Sequence, residues 1–378
     1  MLRVLHPGFA LTGVLHSIGG PLLPSLAAAF HLTDSESGTL FLAYYAGTSL
    51  GALLCVRNYV RCITFGFLAL TAACLCIAFA NRAALNPLFL FLGICVGVPM
   101  SAVSMLAGRM FGSRSAAPLT FLNFSWSAGA LVAPLFAARI LVSHTYRNAY
   151  VLLSIAAGLA AVVSWLGLEE PQEKSTSSRQ TFALADIHFI ALFAVLTFLE
   201  VGIENTTGSW LATYVLRISG RGAAFAAVSS SLYWWGFLAS RGLSSLLLLR
   251  LDGSRLLGYA MTVALFAACA LIAFPSVGGQ TVAMLILGVA LAPIFPLLLS
   301  RFFATARRTS DSRWILAVCG FGGSVLPWLT GLISARSGSL RFGLVTIPAA
   351  LLLMISVLPL MAKWHAPSHA ISPENTTP

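Results

Sequence analysis

Residues 169–186 read EEPQEKSTSSRQTFALAD, the longest internal stretch of this 378-residue chain in which polar residues crowd together. Charged side chains, serines, threonines and Pro171 give it the composition of a tether with little structure of its own. On either side the chain is apolar. Runs long enough to cross roughly 30 Å of hydrocarbon precede it at about 8–29, 37–56, 60–80, 85–108, 116–142 and 146–167. Six more follow at about 187–215, 222–249, 255–275, 279–300, 313–335 and 342–362. Lipid satisfies no backbone polar group, so only helices or closed barrels cross it, and barrel strands alternate in polarity rather than run apolar. The expected fold is therefore all-α and integral to the membrane, with twelve transmembrane helices in two pseudo-symmetric six-helix bundles. Residues 1–167 form the N-terminal bundle, 168–186 a cytoplasmic linker, 187–366 the C-terminal bundle and 367–378 a disordered tail.

Composition points the same way. Hydrophobic residues make up 58% of the chain and charged residues 9%, against about 25% charge in soluble domains. The net charge of +11 suits nucleic acid less well than basic residues retained at cytoplasmic helix ends. With both termini inside, fourteen Lys and Arg residues fall on the cytoplasmic side and seven on the opposite side; Arg241, the remaining one, lies within a helix. This sets a multi-pass protein of the cell inner membrane with cytoplasmic termini and no nucleic-acid partner. Seven dispersed cysteines without a CxxC pair argue against a disulfide framework or a metal site. No small-residue cleavage site precedes His31, and the N-terminal segment reads as a retained first helix. A Gly-rich phosphate loop, a nucleophile elbow and an HExxH helix are all missing from the sequence, so an enzyme and a cofactor are not expected.

The two halves echo each other. Tyr44-Tyr45-Ala46-Gly47 in helix two is matched by Tyr233-Trp234-Trp235-Gly236 in helix eight. Leu106-Ala107-Gly108-Arg109-Met110-Phe111 ends helix four, and Leu298-Leu299-Ser300-Arg301-Phe302-Phe303 ends helix ten. Gly129-x4-Pro134 in helix five returns as Gly322-x4-Pro327 in helix eleven. The offsets drift only from 189 to 193. Internal duplication of a six-helix unit marks secondary transporters, whose sites lie near the midplane between the repeats.

Twelve helices, a central linker and Gly-x4-Pro in helix five together resemble the major facilitator superfamily. Within it the chain is similar to the branch of fucose:proton symporters and related sugar transporters. The matches are Gly202-x-Glu204-x3-Gly208-x-Trp210 in helix seven, Ser240-Arg241 in helix eight, Pro293-x2-Pro296 in helix ten and Pro327-Trp328-x2-Gly331 in helix eleven. Two departures stand out. The superfamily's acidic, Gly-rich loop between helices two and three is here Arg57-Asn58-Tyr59-Val60-Arg61, and helices one and four carry no acid. Any proton coupling therefore rests on helix seven. The family pattern gives Arg241 an inner-gate role, against simple snorkelling to the headgroups.

Helix seven holds the strongest candidates. Glu200 and Glu204 are the only acids inside a membrane-length segment; at i and i+4 they share one helix face. Such residues usually face a water-filled path, and two of them titrate as a pair suited to carrying a proton or binding hydroxyls. The plainer alternative is a hydrogen bond that holds helix seven to a neighbour. His16, mid-way along helix one, is set opposite Glu204 by the repeat offset. Asn123 and Trp126 share a face of helix five, and an amide suits a polyhydroxyl ligand. Trp210, Tyr233, Trp234 and Trp328 could stack on a sugar ring while donating N–H or O–H, although an interfacial belt also collects such rings. Pro293, Pro296, Pro327, Gly322 and Gly323 are expected to bend helices ten and eleven rather than to touch ligand.

The expected function is secondary transport of a small polar solute, foremost a sugar, by alternating access, with protons as the coupling ion and a monomer in the bilayer as the working unit. An exporter of amphiphilic compounds and a transport-inactive membrane scaffold are the two rivals.

Overall fold

A computed structural model describes residues 2–55, 57–111, 116–170, 184–247, 252–274, 276–305 and 312–360. The tail at 367–378 and most of the linker lie outside them. The described residues form α-helices and short turns, with no strand among them. In chain order the helices are α1 (Leu2–Ser17), α2 (Gly19–Phe30), α3 (Asp34–Leu54), α4 (Tyr59–Ala78), α5 (Leu85–Phe111), α6 (Ala116–Leu141) and α7 (Tyr146–Gly167). After the linker come α8 (Leu184–Ser219), α9 (Ala223–Leu247), α10 (Gly253–Ala273), α11 (Val277–Leu291), α12 (Ile294–Thr305), α13 (Ser312–Ser337), α14 (Leu340–Gly343) and α15 (Thr346–Val357). Eight stretches are individually long and apolar enough to cross a membrane, and α1 with α2 makes a ninth. Each of the twelve apolar runs coincides with one helix or one broken pair.

The breaks have local causes. α1 and α2 meet at 43°. Pro21 has no N–H to give the Ser17 carbonyl four residues earlier, and two glycines precede it, a combination that kinks helices. Tyr44 on α3 caps the exposed turn by donating from its hydroxyl to the Leu15 carbonyl at 3.0 Å. α11 gives way to α12 at Ala292-Pro293, as the prolines of helix ten lead one to expect. α13, in contrast, runs unbroken through Pro327.

Packing divides the helices into two sets. α1, α3, α4, α5, α6 and α7 pack among themselves, as do α8 to α13 with α15. The sets meet along one seam, where α3 lies against α13, α6 against α9, and α2 against α8. Large apolar side chains such as Phe65, Trp165, Phe266 and Leu352 face outward on the flanks, as a lipid-bathed surface requires. The seam collects the polar residues.

At the end of the seam that carries the α2–α3 turn, the halves are tied. Arg217, ending α8, donates Nη1 to Asp34 Oδ2 at 2.8 Å and Nη2 to the other carboxylate oxygen. Ser334 on α13 donates its hydroxyl to the same carboxylate. Beside this tie, Gly38 and Gly331 let α3 and α13 touch backbone to backbone: an added Cβ on Gly331 would sit 3.0 Å from Gly38 Cα. Asp34 and Glu36 head α3 in a capping box on Thr33, outside the apolar span. Burial pushes the Asp34 carboxyl up, but hydrogen bonds from Arg217 and Ser334 outweigh it and hold it below the usual range. The Thr33 N–H, with Arg82 assisting, draws Glu36 down to about 2.

Candidate functional site

Half-way along the seam, five elements bring one cluster together. α8 contributes Glu200, Glu204, Asn205 and Ser209; α9 contributes Tyr233, Trp234, Phe237 and Arg241. Opposite them stand His16 at the α1–α2 break, Tyr45 on α3, and Asn123, Trp126 and Ser127 on α6. The i, i+4 spacing of Glu200 and Glu204 puts both on the inward face of α8. Glu200 is 1% exposed, and neither of its oxygens has a hydrogen-bond partner. Glu204, one turn on, is partly accessible. Arg241 interacts electrostatically with both carboxyls. Two acids thus share one guanidinium.

Arg241 also crosses the seam. Its Nη1 donates to Ser127 Oγ at 2.8 Å and to the Asn123 carbonyl at 3.3 Å. The guanidinium lies 4.7 Å from the centroid of the Phe237 ring and 5.8 Å from that of Trp126, within cation–π range. Two further bonds join the halves: His16 Nε2 donates to Asn205 Oδ1 at 3.2 Å, and the Tyr45 and Ser209 hydroxyls meet at 3.1 Å. Rings line the same region. Trp126 stands 5.3 Å from His16 and 6.2 Å edge-on from Trp234 on the other half; His16 stands 5.3 Å from Tyr45. The indole N–H of Trp126, the hydroxyl of Tyr233 and Nδ1 of His16 are buried without partners. An apolar wall with unpaired donors and an unpaired acceptor is chemically suited to a flat, hydroxylated ligand.

The structure sorts the sequence candidates. Glu200, Glu204, His16, Asn123, Trp126, Tyr233, Trp234 and Arg241 gather at the seam. His16 bonds Asn205 rather than Glu204; the offset of 189 taken literally from residue 16 gives 205. Trp210 is fully buried and donates its N–H to the Pro327 carbonyl at 3.0 Å, fastening α8 to α13 instead of meeting a ligand. Trp328 is half-buried, and its backbone packs on Gly38 at the tied end. α13 is continuous through Gly322 and Gly323. They admit α8, since a Cβ on Gly323 would collide with Asn205 Nδ2. Tyr45, Asn205, Ser127 and Ser209 were not singled out from the sequence, although Tyr45 lay inside a repeat echo. The described residues contain no group of three or more His, Cys, Asp and Glu able to hold a metal.

The linker start is more ordered than its composition suggests. Glu170 accepts the backbone N–H groups of Tyr59 and Val60 at 3.0 and 2.8 Å, capping α4. A carboxylate from 110 positions away thereby occupies the loop that lacks an acid of its own.

Helices, two packed sets and a polar cluster on the seam define a multi-pass membrane protein of the carrier type. The chain belongs to the Major Facilitator Superfamily, whose model matches residues 5–312. It is 24% identical over 376 residues to the glucose/mannose transporter of Bacillus subtilis strain 168, with 92% of each chain covered. It is 25% identical over 285 residues to the human sodium-dependent glucose transporter 1, covering 64% of this chain and just 55% of that protein. Among solved structures it resembles a D-xylose–proton symporter with a TM-score of 0.78, 13% identity and 97% of each chain covered.

Proposed function

We propose that this protein is a secondary carrier that moves a sugar across the inner membrane by alternating access, with an ion coupled through Glu204 and Glu200. The observation that carries the reading is the seam cluster. A partly accessible acid and a sealed one share a single guanidinium, beside rings and unpaired donors contributed by both halves. A single proton would remove that charge imbalance. Rings from both halves would close on a sugar from two sides and let go when the halves part. Similarity to glucose-transporting proteins supports the substrate class.

Residues 1–167 and 187–366 are the two moving units in this reading, working as a monomer with both termini and the 168–186 linker in the cytoplasm. The Asp34–Arg217 tie then lies outside, and the conformation is the one closed to the exterior. Reporter fusions at Lys174 and Asp34 reading out on the same side would overturn that topology.

The deciding experiment is uptake of glucose, mannose and xylose into proteoliposomes under an imposed proton or sodium gradient. Accumulation of one sugar driven by one gradient is the expected result. Export of lipophilic cations without sugar uptake would favour the amphiphile exporter, a reading the wall of aromatic rings also accommodates. No transport of either class would leave a scaffold.

A further inference from the structure

On the flank of the N-terminal helices, away from the seam, α4 and α5 diverge to leave a groove of about 480 Å³. One end of the groove is polar: Arg57, Asn58 and Arg61 stand there, all exposed. The rest of the lining is apolar, from Phe65 and Ala69 on α4 to Phe91 and Val98 on α5. Phe65 is 63% exposed and Phe91 41%, so the walls of the groove face lipid rather than protein. The eight steps from Arg61 to Ala69 climb about 12 Å at the α-helical rise, most of the depth of one leaflet of a hydrocarbon core roughly 30 Å thick.

Neither Arg57 nor Arg61 is ion-paired with a carboxylate among the described residues. Glu170 is close by, but both its oxygens are engaged by the N–H groups of Tyr59 and Val60. A third arginine, Arg109, lies over the Tyr59 ring at 4.5 Å. Asp34 is held by Arg217 and Glu36 by Arg82, both at the far end of α3. Guanidinium groups match phosphate oxygens two at a time, and an apolar slot beneath them matches an acyl chain.

We propose that this groove binds an anionic phospholipid, with the phosphate between Arg57 and Arg61 and one acyl chain lying along Phe65 and Phe91. A zwitterionic lipid would fill the slot but carry its own compensating cation to the arginines. Inorganic phosphate would meet the arginines but leave the slot unused. In the topology proposed above the site faces the cytoplasmic leaflet; the chemistry of binding stands without that assignment and without any transported substrate.

The test is native mass spectrometry of the purified full-length protein, titrated with phosphatidylglycerol or with phosphatidylcholine of identical acyl chains. Wild type is expected to retain phosphatidylglycerol about tenfold better, as two interfacial arginines imply. Arg57→Gln with Arg61→Gln should erase the preference, whereas Arg57→Lys with Arg61→Lys should keep most of it. Ala69→Phe, which fills the slot without touching charge, should weaken both lipids. Equal retention of the two lipids by wild type, or a preference that survives the double Gln change, overturns the proposal. So does displacement of phosphatidylglycerol by millimolar inorganic phosphate, which would reduce the site to a headgroup contact. Should the double Gln protein fail to fold, the Ala69→Phe measurement and the phosphate competition still decide.

Discussion

The two halves bring different chemistry to the same seam. Every charge in the cluster, Glu200, Glu204 and Arg241, stands on α8 and α9. The facing helices offer neutral groups: His16, Tyr45, Trp126 and Ser127. Yet the halves echo each other in sequence, and Tyr44-Tyr45 corresponds to Tyr233-Trp234. Duplication has kept the aromatic platform on both sides and confined the charges to one. In the proposed carrier the C-terminal half would sense an ion while the N-terminal half grips the ligand, and four cross-seam hydrogen bonds join the two sides of the cluster.

That division can be broken most severely at Glu204. Glu204→Gln keeps size and hydrogen bonding but removes titration, and it should abolish uphill accumulation while leaving counterflow exchange largely intact. Glu204→Ala should also lose binding, by about 1–3 kcal/mol for the polar partner left alone. If both variants accumulate sugar like wild type, the carboxyl is structural and the division of labour fails.

Next comes Arg241. Removing one partner from buried charges costs about 3–5 kcal/mol, so Arg241→Gln should lower the melting temperature steeply. Adding Glu200→Gln, which lightens the uncompensated charge, should recover much of the loss. Additive losses in that double variant would show that Arg241 does not serve the carboxyls.

On the neutral side the effects should be smaller. Asn205→Leu strands the His16 ring and should cost about 1–2 kcal/mol. Gly323→Ala should reproduce part of that loss by displacing the Asn205 amide, and a wild-type melting curve for Gly323→Ala would contradict the packing described. Coupling between Asn205→Leu and His16→Phe in a double-mutant cycle would sharpen the comparison further.

The smallest effect belongs to the capped end of α3. A carboxyl held low in the fold contributes stability above its ordinary value and loses it as pH falls. Stability should therefore be flat down to the ordinary glutamate range near 4.5 and then decline toward about 2, the value to which Glu36 is drawn. Glu36→Gln should make that limb shallower, leaving the share contributed by Asp34. The contribution is small because the pair with Arg82 is exposed.

The fold was legible because length and apolarity suffice to mark a membrane helix; α7 begins and ends where its apolar run does. Helix continuity was harder to read. Pro21 stands just past the break in its span and Pro327 inside an unbroken helix, so a proline alone does not tell the two cases apart. The acids of α8 were legible because burying a charge is costly enough to need a reason. Aromatics carry no such signal. Trp210 looked like a ligand-stacking ring, but its N–H found a carbonyl across the helix interface. Three consecutive rings on α9 cannot all face inward, and only the structure shows Trp235 half-exposed while Tyr233 and Trp234 are buried. The Glu170 cap was invisible for another reason: it joins segments 110 residues apart, and no local pattern announces it.

The break between α1 and α2 has a mechanical meaning. α1 rests on α6 and α7 of its own half, whereas α2 rests mainly on α8 and α9 of the other. One span is thus mounted on both sets, and the proposed rocking of the halves would flex it at residues 17–19. An intact helix would resist, because flexing it pulls hydrogen bonds apart. Here the Ser17 carbonyl has no helical donor because Pro21 lacks an N–H, so in the proposed motion the span would act as a universal joint rather than a strut. Stiffness at this point, more than affinity at the seam, would then set how fast the carrier turns over.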